Sequence, residues 1–286
     1  MKRTKELERS MRTTETIVEL SSAFEGIASI KIARIKDQVL QSTEFFEDLW
    51  GIYEQLRVDK LFRFGRQDDA VKVIDKELVI IITAEGGFSG DIDQKLIKWM
   101  LKDYDEKKHD IVVVGHHGAV QLAQKSISYK KYFKLPDKDQ DIDVGPIIKI
   151  VQQYKNTTVY YQQYISLMVQ DVKKISLSTA VTELGEKAEE STDIISEENY
   201  IFEPSTFAVV RHLERSMLEI SLSQLVLDSK LAQYASRFRA MSAAHQAADD
   251  SLSDLKLSFN RAKRAGKDER LKEMINGIRK SGKATA

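Results

Sequence analysis

The residues that could carry chemistry lie mostly in the middle of the chain. Ala84-Glu85-Gly86-Gly87-Phe88-Ser89-Gly90-Asp91 follows an apolar, β-branched run and opens a helical stretch, which is where phosphate-binding loops sit. The segment has neither G-x-G-x-x-G spacing nor the Gly-Lys-Ser/Thr of a P-loop, and Glu85 and Asp91 would repel a phosphate. A structural turn is the better reading. His116 and His117 are adjacent and have no third ligand at metal-site spacing, so they read as surface or helix-start histidines. His245 interrupts an apolar seam, where a single polar residue sets register. There is no G-x-S-x-G, and no carboxylate pair is placed by spacing alone. The reading is therefore no catalysis, no cofactor and no metal.

Composition narrows the classes further. The 286 residues hold 44 Lys+Arg against 44 Asp+Glu, so no global positive field favours nucleic acid or anionic lipid. With no cysteine, a disulfide framework, thiol catalysis and a cysteine-based zinc site are excluded. The first residues are charged and lack the apolar core of a signal peptide. The longest apolar run, Leu78 to Ile82, is far too short to span a bilayer. A soluble chain is expected, or one peripheral to a membrane through a partner, with no direct membrane insertion and no nucleic acid.

Two long helices must frame the central segment. Only three prolines occur, Pro136, Pro146 and Pro204, and Ser205 to Ala265 contains neither proline nor glycine. Within that stretch Leu227, Leu231, Tyr234, Phe238, Met241, His245, Ala248, Leu252, Leu255, Phe259 and Ala262 alternate steps of four and three. Over about five heptads this makes one stripe of a coiled-coil helix. A helix over 206–265 would be roughly 90 Å long, too long for the core of one compact domain. Near the other end, Ile17, Leu20, Phe24 and Ile27 begin a seam. It restarts one residue out of step at Ala28 and runs through Ile32, Ile35, Val39, Ser42, Phe46, Leu49, Tyr53 and Leu56. The two seams most simply pair with each other, antiparallel; pairing between two copies is the competing option.

Between the helices the pattern becomes that of an α/β unit. Leu78 to Thr83 and Ile111 to Gly115 read as strands buried on both faces, with helices over about 91–104 and from Gly118, which indicates a parallel sheet. Residues 157–169 read as a further strand or a hairpin, and the acidic stretch 183–198 as a surface loop or edge segment. The expected division is 1–60 for the N-terminal coiled-coil helix, 70–203 for a Rossmann-like α/β domain and 204–286 for the C-terminal coiled-coil helix. The last residues are basic, from Arg261, Lys263, Arg264, Lys267, Arg270 and Lys272 to Arg279, Lys280 and Lys283. They read either as a solvated helix end or as a tip that meets an acidic partner.

This arrangement resembles the gamma subunit of F-type ATP synthases. Tyr200-Ile201-Phe202-Glu203-Pro204-Ser205 resembles the family's lead-in to its C-terminal helix, and Ala235-Ser236-Arg237-Phe238-Arg239-Ala240-Met241 its Ser/Ala-Arg-x-x-Ala-Met signature. Leu255-x-Leu257-x-Phe259-Asn260-Arg261-Ala262-Lys263-Arg264 resembles its Leu-x-Tyr-Asn-x-x-Arg-Gln run. Ala23 to Lys31 is similar to its Ala-Met-x-Met-Val-Ala-Ala-Ser-Lys helix, and Thr83 to Ile92 sits where the family has a glycine turn. Glu19 and Ser22 replace the family's flanking lysines, Lys263-Arg264 replaces Arg-Gln, and a basic tail replaces a small, apolar one.

The resemblance implies a non-catalytic rotor shaft within a hexamer of alpha and beta subunits, with the epsilon subunit and a membrane rotor ring below. It would couple rotation to ATP synthesis and proton translocation at the cytoplasmic face of the cell membrane. By the same resemblance Phe24, Lys31, Arg237, Met241, Asn260, Lys263 and Arg264 are candidate shaft or ring-contact residues. Two alternatives stay open: a gamma-like shaft of a specialised F-type-like ATPase, and a coiled-coil scaffold acting outside any ATPase. A nucleotide-dependent enzyme is a third reading, weakened by the missing phosphate loop.

Overall fold

The computed structural model describes residues 2–55, 74–136, 142–185, 203 and 205–284. The chain divides into two compact units, residues 1–27 with 238–286, and residues 28–237. Two helices, α1 (Lys2–Gln55) and α6 (Thr206–Ala284), contribute to both.

In the larger unit, β1 (Glu77–Ile82), β2 (His109–Val114), β3 (Lys131–Phe133), β4 (Thr157–Tyr164) and β5 (Gln170–Ser176) form one sheet in the order β3-β2-β1-β4-β5. The first four are parallel, as the doubly buried runs predict; residues 157–169 hold one strand and a turn, and the antiparallel return strand β5 lies beyond them. The pleat sends alternate residues to opposite faces. Val79, Ile81, Ile111, Val113 and Tyr160 pack on Leu96, Ile97 and Met100 of α2 (Ile92–Asp103) and Leu122 of α3 (His116–Gln124). Leu78, Ile80, Ile82, Val112 and Val159 pack on α4 (Gly145–Val151) and α5 (Leu177–Gly185). Leu222, Leu225 and Val226 of α6 join that second face.

Part of the 204–286 segment read as a coiled-coil helix thus also packs on the central sheet. Between Leu213 and Ser236 no residue of the helix is exposed, and its buried polar side chains Ser229, Lys230, Gln233 and Ser236 are hydrogen-bonded to the residues that enclose it. Further differences are local. Strand β3 and helices α4 and α5 were not anticipated; each is short. Residues 183–185 of the acidic stretch form the end of α5, whereas 186–198, like Leu56, lie outside the described residues. Helix α6 continues past 265 to Ala284, because an isolated Gly266 or Gly277 costs a helix about 1 kcal/mol without ending it. Its start is capped: Ser205 Oγ accepts the Ala208 N–H at 3.2 Å.

The long helices pair antiparallel. In the larger unit Lys31 approaches Tyr234, Thr43 meets Gln224 at 2.8 Å, and Phe46 packs with Met217, so positions rise in α1 as they fall in α6. In the smaller unit His245 Nδ1 lies 3.2 Å from the Val18 carbonyl, which gives the seam histidine its polar partner. The predicted stripe of α6 holds throughout, as each of its eleven positions is buried or half-buried.

The seam of α1 needs correction. No slip occurs at Ala28. Thr14, Val18, Ser21, Glu25, Ala28, Ile32, Ile35, Val39, Ser42, Phe46, Leu49 and Tyr53 keep one unbroken heptad on the covered side. Ile17, Leu20 and Ile27 are 48%, 53% and 52% exposed, and form a separate apolar stripe.

Candidate functional site: the glycine loop and the C-terminal helix

Doubly wound sheets bind ligands where the strand order reverses, outside the carboxyl ends of the strands. Here that point lies between β1 and β4, and the chain fills it itself. Gln162, at the end of β4, is fully buried. Its amide donates to Asp93 Oδ1 at 2.6 Å, while its carbonyl accepts from Ser229 Oγ and from Gln233 Nε2 at 3.3 Å. Both acceptor contacts come from α6, so the helix occupies the crevice a nucleotide would need.

Asp93 sits in the first turn of α2 with 2% of its surface exposed. A buried carboxylate is tolerated only when paired and hydrogen-bonded. Besides Gln162 it has His117 Nδ1 at 2.9 Å and the Ala84 N–H at 3.3–3.4 Å. The bond from Asp93 raises the His117 pKa; burial and Arg237 work against this, and Glu85 assists it. His116 and His117 do open a helix, as their sequence position suggests, and His117 is a hydrogen-bond partner of a buried acid.

The glycine loop between β1 and α2 is held on both sides. On the sheet side, Glu85 Oε2 accepts the N–H groups of His116 at 3.0 Å and Leu135 at 3.3 Å, and Oε1 accepts the Tyr132 hydroxyl at 3.1 Å. Burial, aided by the bond to Glu85, pushes the Tyr132 hydroxyl up to about 12. On the helix side, Ser236 Oγ donates to the Ser89 carbonyl at 2.7 Å. Arg237 donates through Nε to Gly87 O at 2.9 Å and through Nη2 to Gly86 O at 3.2 Å. The Arg237 guanidinium also lies 5.1 Å from the Tyr234 ring centroid, and Lys31 Nζ of α1 lies 6.0 Å from the same ring. Between these anchors Phe88 takes φ +66° and Gly90 φ +65°, and Phe88 is 62% exposed.

Of the candidate residues named from sequence, the structure brings together Lys31 and Arg237. Phe24 and Met241 are half-buried in the smaller unit. Asn260, Lys263 and Arg264 are exposed there, with Lys263 Nζ 5.9 Å from the Phe259 ring. Glu85, Asp93, Gln162, Ser229, Gln233 and Ser236 were not singled out for roles. The available signal was three glycines with flanking acids following a strand, which marks a loop whose backbone needs holding. Among the described residues no group of three or more His, Cys, Asp or Glu could hold a metal, and no helix is long and apolar enough to cross a membrane.

Comparison with known proteins places this architecture. A family model described as ATP synthase matches residues 3–279. The ATP synthase gamma chain of Mycoplasmoides gallisepticum is 23% identical, over 96% of this chain and 98% of the relative. That of Staphylococcus saprophyticus is 22% identical, over 96% and 97%. Among solved structures, a chain of the Euglena gracilis mitochondrial ATP synthase OSCP/F1/c-ring assembly aligns with TM-score 0.58 and 13% identity, over 95% of this chain and 94% of that one. A chain of the Tetrahymena thermophila mitochondrial ATP synthase central stalk and c-ring aligns at 0.56 and 14%, over 79% and 99%. Matched along nearly its whole length in sequence, with the paired terminal helices and central sheet to go with it, the chain belongs to the ATP synthase family, among the gamma chains.

Proposed function

We propose that this chain is the central rotor shaft of an ATP synthase, a non-catalytic subunit that couples rotation to ATP synthesis on surrounding subunits and to proton translocation. The observation that carries the reading is the collinear family match over residues 3–279. The filled crevice at the β1–β4 reversal agrees with it, because no nucleotide site remains there for chemistry of the chain's own. Antiparallel pairing within one chain favours a shaft over a scaffold that dimerises through its coiled coil.

The partners are the alpha and beta subunits of the ATPase hexamer around the paired helices, with the epsilon subunit and the membrane rotor ring at the other end. The assembly sits at the cytoplasmic face of the cell membrane, and the chain is held there through its partners. The exposed stripe of Ile17, Leu20 and Ile27 is the surface such a collar would cover. Asn260, Lys263 and Arg264 share one helix face at i, i+3 and i+4, and are contacts to the alpha/beta hexamer. Phe24, Met241, Lys31 and Arg237 are shaft positions. A shaft that shows different side chains to each beta subunit biases three like sites into different states, and rotation passes each state around the ring.

The test is affinity purification of the tagged chain from its native host with quantitative mass spectrometry. Three copies each of two P-loop ATPase subunits per chain are expected. Recovery of the chain alone or as a dimer overturns the reading.

A further inference from the structure

We propose that Ser236 and Arg237 are torque-bearing positioning residues: by fastening the glycine loop to α6 they make the α/β unit and the helix turn as one body. The inference rests on the rotor reading above, and it concerns how load crosses within residues 28–237.

Apolar packing holds the upper part of the contact, through Leu222, Leu225 and Val226 against the sheet. Such packing resists separation, but it is non-directional and gives little resistance to a helix twisting in its groove. Hydrogen bonds fix direction as well as distance. The bonds from α6 come in sequence along the helix, from Ser229 and Gln233 to Gln162, then from Ser236 to Ser89 O, then from Arg237 to Gly86 O and Gly87 O. Ser229, Gln233 and Arg237 follow one another at i+4 and Ser236 lies three beyond Gln233, so all four donors are on one side of the helix. The two-pronged arginine is the last of them along the helix, so twist entering from the C-terminal side of this group meets its bonds first.

A clamp transmits load only if what it grips is itself rigid. Glu85 ties the loop to the starts of α3 and of the segment after β3, Asp93 holds the Ala84 N–H, and Ser89 is 2% exposed. Arg237 in turn is steadied over the Tyr234 ring. Charge alone does not reproduce this arrangement, because two parallel N–H donors in one plane are an arginine property that lysine lacks.

The assembled complex provides the test. A bead is attached through a biotin-acceptor peptide inserted in the turn at residues 105–108, and stall torque is read during ATP hydrolysis. Arg237→Ala with Ser236→Ala is expected to lose stall torque, and Arg237→Lys to lose it as well. The chain has no native cysteine, so Gly90→Cys with Ser236→Cys can replace the clamp covalently in the Arg237→Ala background. A Cβ at position 90 would lie 3.5 Å from Ser236 Oγ, and the strain that a side chain meets at the Gly90 φ of +65° is common to the oxidised and reduced forms, so it cancels in their comparison. Once mass spectrometry verifies the bond, oxidation should restore torque and reduction should remove it again, a reversibility that a folding defect would not show. Full torque in Arg237→Ala, normal torque in Arg237→Lys, or a loss that the verified disulfide does not restore overturns the proposal. A wild-type complex that turns no bead counts against the rotor reading instead.

Discussion

Asp93 keeps a carboxylate where almost no water reaches it, and His117 and Gln162 make that position tolerable. Replacing His117 with alanine removes one partner of the buried acid and leaves it with Gln162 and the Ala84 N–H, a loss of about 2 kcal/mol. The pair also fixes a pH dependence. The pKa of His117 is raised in the folded chain, so its stabilisation is complete below the ordinary value of 6.5 and fades as pH climbs through the raised value. Thermal melts should show the wild-type midpoint falling over that window and the His117→Ala midpoint lacking that component of the fall. Gly115 is a second residue with no substitute. It takes φ +95° at the end of β2, and a Cβ there would lie 2.0 Å from the Thr83 carbonyl. Gly115→Ala should cost about 4 kcal/mol or more. Gly87→Ala, where a Cβ meets nothing within 4 Å, should melt close to wild type in the same assay.

Helix α6 shows how unevenly one element can be supported. From Lys263 to Gly277 every residue is exposed, and a helix of that length without packing is marginal in water. Gly266→Ala should add about 1 kcal/mol of helix stability, read as slower hydrogen exchange of amides 263–277 in the free chain. The two long helices, their antiparallel pairing and the parallel core of the sheet were legible in the sequence because proline spacing, heptads and doubly buried strands are local patterns. The seam of α1 was not. Hydrophobicity draws the eye to Ile17, Leu20 and Ile27, yet the covered side uses Thr14, Ser21 and Ala28, whose small side chains let two helices approach closely. Ser21 hides its hydroxyl by donating to the Ile17 carbonyl at 2.7 Å, an economy visible only with the backbone in hand. The candidate site was half legible. The glycine loop announces itself, but Gln162 and Ser229 lie 67 positions apart and no spacing rule joins them.

At the scale of the molecule, a shaft is judged by what it moves. Changing Lys263 and Arg264 together to alanine should weaken coupling of hydrolysis to ion transport more than recovery of the complex; unchanged coupled turnover removes both residues from the contact face. The antiparallel pairing has a separate consequence for how the chain comes to exist. Val18 finds its partner 227 positions later, at His245, so the seam cannot close until nearly the whole chain has been made. Contacts so distant in sequence form slowly, because the intervening chain must first be gathered. The α/β unit does that gathering when it draws residues 28–55 and 206–237 together. Until then the nascent α1 has no intramolecular cover along its seam and shows Ile17, Leu20 and Ile27 besides, during the interval when chaperones and wrong partners compete for such surfaces.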